Sequence, residues 1–295
     1  MKKCVFEGCA TALITPMLPD GSVNFEKLAE LVDSQIKGGV DALVICGTTG
    51  ESATLSGEEH IKVIEAAVKA ANHRVPIIAG TGSNDTQFAL EISKEALQVG
   101  ADALLMVTPY YNKTSQRGLI KHYTYIADRV DAPIILYNVP SRTGVNIKPE
   151  TYFELSKHKN IVAAKEANGD LSSLIKTIAL CGDNLAIYSG NDDQIVPVMS
   201  IGGKGVISVL SNIIPKETHD ITAACLEGDF KKATNLAIKY LDLANALFMD
   251  VNPIPVKEAM NLMGLDVGQC RMPLASMDEK QVAALSEELK KVDII

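Results

Sequence analysis

Short apolar segments recur along most of the chain, at residues 10–14, 42–46, 76–79, 103–108, 133–138, 161–166, 185–189 and 205–209. Several are rich in Val and Ile, and they do not alternate polar with apolar positions. That is the pattern of strands buried on both faces. Between them run longer stretches with helical spacing. Phe25, Leu28, Leu31, Val32 and Ile36 form one apolar stripe, Ile61, Ile64 and Val68 a second, and Phe88, Ile92, Ala96 and Val99 a third. Helix ends are marked as well. Ser56-x-x-Glu59 has capping-box spacing, and Pro149 and Pro215 stand where a first turn tolerates proline. Gly38-Gly39 and Gly100 follow helical stripes, where a left-handed cap is wanted.

Eight strand-like runs, each followed by a helix-like run, predict an α/β fold, a closed (β/α)8 TIM barrel. A doubly wound open sheet is the competing arrangement. It uses fewer strands and favours a Gly-rich turn after the first, whereas here that run leads into Thr15-Pro16-Met17. No G-x-G-x-x-G or Walker pattern supports nucleotide binding. After about Cys225 the strand signals stop, and residues 230–249, 255–263 and 278–292 read as helices. Asn252-Pro253-Ile254-Pro255 breaks the first two, and Arg271-Met272-Pro273 precedes the last. The pattern therefore predicts a barrel domain over 1–228 and a C-terminal helical extension over 229–295.

Composition narrows the function classes. Hydrophobic residues make up 47% and charged residues 22%, which calls for a large core and excludes a disordered chain. A net charge of −8 argues against a sequence-blind grip on nucleic acid, but it leaves a small anionic substrate open. Met1-Lys2-Lys3-Cys4 is followed by Glu7 rather than an apolar run, so no signal peptide is expected, and no segment is long enough to predict a membrane span. The cysteines at 4, 9, 46, 181, 225 and 270 form no C-x-x-C pair and read as free thiols in a reducing cytoplasm. The five histidines lack metal-ligand spacing, so neither a metal nor another cofactor is expected.

In such barrels the active site lies at the C-terminal ends of the strands. The sixth run ends in Lys165-Glu166. A lysine on a buried strand is either paired, here with Glu166 or another acid, or functional. Burial lowers its pKa, and a neutral amine can form a Schiff base with a carbonyl. The fifth run carries Tyr137, either a packed core residue or a proton donor and acceptor at the barrel mouth. Gly47-Thr48-Thr49-Gly50-Glu51 follows the second run and reads as a polar turn or a carboxylate cradle. Thr108-Pro109-Tyr110-Tyr111-Asn112 offers an interface or a phenol for a site. Arg142 in Ser141-Arg142-Thr143-Gly144 is either solvated or a bidentate clamp for a carboxylate. Four strands thus deliver Lys, Tyr, Thr and Arg to one predicted face.

These motifs together resemble the dihydrodipicolinate synthases of the pyruvate-dependent class I aldolase family, over essentially the whole chain, with Gly202-Gly203-Lys204-Gly205-Val206-Ile207-Ser208 continuing the match. The resemblance implies condensation of pyruvate with L-aspartate 4-semialdehyde, giving 4-hydroxy-tetrahydrodipicolinate on the diaminopimelate route to lysine. It makes Lys165 the Schiff-base nucleophile and Tyr137 the proton shuttle, with Thr49 linking Tyr137 to Tyr111 in a hydroxyl relay. Tyr111 is implied to enter a neighbouring subunit's site within a homotetramer built as a dimer of dimers. Thr48 and Thr49 would hold the pyruvate carboxylate, Arg142 the semialdehyde's carboxylate, and Gly190 and Ile207 would line the site. N-acetylneuraminate lyases and keto-deoxy-sugar acid aldolases of the same family are the rival reading, which Arg142 and the Thr48-Thr49 pair disfavour. A non-catalytic keto-acid binder and a metal-dependent aldolase are more distant rivals.

In lysine-inhibited members a second site binds lysine, and Ser52, Ala53, His60, Asn84 and Tyr110 match its residue types. Gly57 stands where those enzymes carry a histidine, and Phe88 where they carry the glutamate that pairs with the ammonium. Weak or absent feedback by lysine is the expectation.

Overall fold

The computed structural model describes residues 2–295. Eight parallel strands close into a barrel in chain order. They are β1 (Gly8–Ala12), β2 (Ala42–Ile45), β3 (Ile77–Gly80), β4 (Ala103–Val107), β5 (Ile134–Asn138), β6 (Ile161–Glu166), β7 (Ala186–Ser189) and β8 (Gly205–Ser208). β8 returns to pair with β1, from Gly8 against Gly205 to Thr11 against Ser208, which rules out the open sheet. The first strand begins two residues before the expected run, because Gly8 and Cys9 pair with β8 although no apolar run marks them.

Strands apolar on both faces need a core on each side. Ala10, Val44, Ile78, Leu105, Ile135, Tyr188 and Ile207 fill the barrel. Leu43, Ile77, Leu104, Leu136 and Ile187 point outward and pack with the surrounding helices. Those helices start as the sequence asks. Ser56 and Glu59 form a capping box at Gly57–Ala71, and Pro149 and Pro215 open Pro149–Leu155 and Pro215–Leu226. Two stripe residues depart from expectation. Phe25 is 40% and Phe88 49% exposed, so the buried faces of their helices run through Leu28 and Leu31, and through Ala89, Ile92 and Ala96. The expected helix over 230–249 divides into Phe230–Lys239 and Leu241–Ala246, with Tyr240 between them at φ −105°.

The ladder between β5 and β6 is irregular at one point. Ile134 pairs with Ile161 and Ile135 with Ala163, leaving Val162 as an extra residue. Ile161 therefore packs outward among the helices, while Ala163 faces the barrel interior.

Beyond β8 the chain is helical, ending in Ile254–Leu262 and Glu279–Lys291. This stretch folds back onto the loop after β2. Lys257 Nζ meets Glu51 Oε1 at 2.9 Å, and the two side chains are 2% and 0% exposed. Lys257 also donates to the carbonyls of Thr15 at 3.1 Å and Gln269 at 2.8 Å, while the Arg271 N–H donates to Glu51 Oε2 at 2.8 Å. All six cysteines are free thiols. No described helix is long and apolar enough to cross a membrane.

Candidate active site

Lys165 stands at the end of β6, buried, in the same layer as Tyr137 of β5 and Tyr188 of β7. Its Nζ lies 4.5 Å from the centre of the Tyr137 ring. Glu166, next along the strand, faces the opposite side. Its carboxylate accepts from Asn138 Nδ2 at 2.9 and 3.1 Å, from the Tyr152 hydroxyl at 2.9 Å and from the Asn168 N–H at 3.0 Å. The ion pair between Lys165 and Glu166 is thereby excluded. Burial lifts the Glu166 carboxyl to about 7 against those three donors. Burial likewise lowers Lys165 to about 8, with the Asp192 carboxylate opposing the shift and the Arg142 guanidinium adding to it. Asp192 is itself buried, and its Oδ2 accepts from the N–H groups of Val209 at 3.0 Å and Leu210 at 2.9 Å.

Gly190 makes room for this lysine. A Cβ at that position would sit 2.8 Å from the Ala167 Cβ and 3.2 Å from the Lys165 Cε. Ile207 is fully buried on the barrel side of β8.

The loop after β2 is bracketed by two left-handed residues, Cys46 at φ 55° and Glu51 at φ 56°. Non-glycine residues adopt that conformation only where surrounding contacts hold them. The buried pair with Lys257 supplies such a contact for Glu51. The turn presents its two threonines differently. Thr48 is the hydroxyl beside Tyr137 that favours its ionised form. Thr49 is buried, and its Oγ1 accepts from Asn252 Nδ2 at 3.0 Å. Burial raises the Tyr137 phenol, and the Arg142 charge and the Thr48 bond hold it back.

Arg142 lies in the one-turn helix Pro140–Thr143, exposed, with its Nη2 donating to the Asn252 carbonyl at 3.2 Å. Thr108 donates to Thr143 at 3.0 Å and so ties the loop after β4 to this helix. That loop carries Tyr111, which is 91% exposed at φ 65°. The phenol stands outside the chain's own site. Asn252 was legible only as part of a helix-breaking Asn-Pro-Ile-Pro run, yet it touches both Thr49 and Arg142.

Among the residues matched to the lysine-binding site, His60 is buried and its Nε2 lies 2.7 Å from the Gly80 carbonyl. Gly57 and Phe88 line a common groove of about 470 Å³, with Glu58, Ile61, Lys62 and Glu91 among its walls.

The sequence profile of the dihydrodipicolinate synthetase family matches residues 5–292. The chain belongs to this family. It is 51% identical to the 4-hydroxy-tetrahydrodipicolinate synthase of Acetivibrio thermocellus over the full length of both chains. Identity to the synthase of the same name from Lachnoclostridium phytofermentans is 54%, covering 99% of each. Among solved structures, the dihydrodipicolinate synthase of Aquifex aeolicus superposes with a TM-score of 0.96 at 44% identity, covering 98% of this chain and 99% of that one. These similarities favour the synthase over the sugar-acid aldolases of the same fold.

Proposed function

We propose that Lys165 is the nucleophile of the reaction named in its relatives, the condensation of pyruvate with L-aspartate 4-semialdehyde to 4-hydroxy-tetrahydrodipicolinate. The chain is a lyase of the class I aldolase type, working in the diaminopimelate route to lysine. The observation that carries the assignment of Lys165 is its burial without a carboxylate partner, beside Tyr137, with an amine lowered to about 8. A neutral amine attacks a ketone; an ammonium does not.

Nζ adds to C2 of pyruvate, and loss of water leaves an iminium. Removal of a proton from the methyl carbon gives an enamine, whose carbon attacks the aldehyde of the semialdehyde. The new alkoxide takes a proton. The substrate's amine then attacks C2 and releases Lys165, closing the ring. Tyr137 carries these protons, with Thr48 rather than Thr49 as its hydroxyl partner. The turn of Thr48 and Thr49 receives the pyruvate carboxylate, and Arg142 receives that of the semialdehyde, with Gly190 and Ile207 bounding the cavity. Tyr111, exposed and left-handed in the single chain, reaches the partner's site in a tight dimer, and two dimers make the homotetramer. The free thiols support a reducing, cytoplasmic setting.

Purified protein is expected to consume pyruvate saturably with L-aspartate 4-semialdehyde and not with N-acetylmannosamine. Turnover with the sugar alone would overturn the assignment. Lysine is expected to inhibit weakly or not at all, because Phe88 stands at the position from which a glutamate pairs with the ammonium in lysine-inhibited members. An inhibition curve with strong block at sub-millimolar lysine would refute that expectation.

A further inference from the structure

Asn252 is 5% exposed and stands between two groups assigned to substrate. Its Nδ2 donates to Thr49 Oγ1 at 3.0 Å, and its main-chain carbonyl accepts from Arg142 Nη2 at 3.2 Å. Its Oδ1 is buried and has no hydrogen-bond partner among the described residues. A buried acceptor without a donor is costly, and native structures retain few of them. We propose that Asn252 is a specificity-determining residue whose Oδ1 accepts an N–H from the α-amino group of the aldehyde substrate. The proposal rests on the reading of Thr49 and Arg142 as substrate contacts.

Three arguments support it. The first concerns orientation. The Thr49 hydroxyl has one hydrogen, and where that hydrogen goes to the pyruvate carboxylate, Oγ1 is left to accept. Asn252 must then turn its Nδ2 toward Thr49, which leaves Oδ1 facing elsewhere. The second is spacing. In an α-amino acid the carboxylate and the amine share one carbon, so their receptors must be neighbours. Arg142 and Asn252 touch. The guanidinium that takes the carboxylate thus stands on the same residue whose side-chain amide takes the amine. The third is charge. A carboxylate in this place would hold the amine as its ammonium. A neutral amide accepts one N–H yet lets the nitrogen lose a proton, which ring closure demands.

The test compares L-aspartate 4-semialdehyde with succinic semialdehyde, which has the same aldehyde and carboxylate but no amine. Steady-state constants are measured for wild type, Asn252→Ala and the near-isosteric Asn252→Asp, with succinic semialdehyde as a competitive inhibitor. Asn252→Ala is expected to raise KM for the amino-aldehyde roughly tenfold or more, the scale of a hydrogen bond to a charged group. The inhibition constant of succinic semialdehyde is expected to change far less. Asn252→Asp keeps an acceptor but loses the donor to Thr49, so KM is expected to rise less than in Asn252→Ala, with the pH optimum moved upward because its charge holds the ammonium. A parallel rise of KM and of the inhibition constant in Asn252→Ala would overturn the proposal, since the residue would then act only by holding Thr49 and Arg142. Unchanged constants would overturn it equally. Failure of the wild type to turn over the semialdehyde at all would instead remove the underlying functional reading.

Discussion

Lys165→Ala is expected to lower kcat by roughly 10⁴–10⁶-fold, the scale on which enzymes lose rate when a covalent nucleophile is removed. Borohydride in the presence of pyruvate should trap an adduct on the wild type and none on the variant, as intact mass would report. Near-wild-type turnover in the variant would show that another amine is the nucleophile. The same residue sets a pH dependence. Its lowered value of about 8 makes the neutral amine a minority below that pH, so kcat/KM for pyruvate should fall about tenfold for each pH unit below it. A flat profile down to pH 6 would contradict this. Stability carries the mirror image. The folded chain holds this lysine at about 8, against 10.5 for the ordinary amine. The unfolded chain therefore binds more protons between those two values, and stability rises with pH across that window. Below about pH 8 the full penalty is present, on the order of 3 kcal/mol. Lys165→Met, which fills the space without a charge, should accordingly be inactive yet more stable than the wild type at neutral pH.

Lys257→Met is expected to destabilise the fold by about 3–5 kcal/mol, because it strands the Glu51 carboxylate in the interior. Removing both charges is a milder change. In Lys257→Met with Glu51→Gln, the new amide still accepts from the Arg271 N–H, and most of the loss should be recovered. Urea unfolding of the two variants beside the wild type checks this, and a loss below about 1 kcal/mol in the single variant would mean that water reaches the stranded carboxylate. Glu51 also closes the turn that presents Thr48 and Thr49. The single variant should therefore raise KM for pyruvate as well, although Lys257 lies far from the reacting atoms in sequence.

The barrel was legible because its strands are apolar on both faces and its helices announce their starts with Ser56, Pro149 and Pro215. Lys165 was legible for a related reason, as a charge at the end of a run where hydration is lost. Which of its two readings held was not. Only the opposite facing of Glu166, and its donors from Asn138, Tyr152 and Asn168, takes that acid away from the amine. Thr48 and Thr49 carry the same hydroxyl side by side, and spacing could not tell that Thr49 takes the Asn252 amide while Thr48 stands by Tyr137. Asn252 and Lys257 could not be found from spacing, since they reach the site from some 200 residues away. Phe88 was misread as core because helical periodicity locates a stripe but not its edges.

Val162 gives β6 a spare residue, and this fixes how the strand tolerates loss. Side chains alternate along a strand, so Ile161 and Lys165 would share a face if the ladder were regular. The extra residue resets that parity, sending Ile161 to the helices and Lys165 to the barrel. Deleting Val162 would merely regularise the pairing and leave the amine inside. Deleting Ala164 would do the same, pairing Val162 with Ile135 and Ala163 with Leu136, and would also leave the amine inside. The strand thus absorbs the loss of either residue alone, whereas loss of both would turn Lys165 out among the helices and leave an acid where the nucleophile had been.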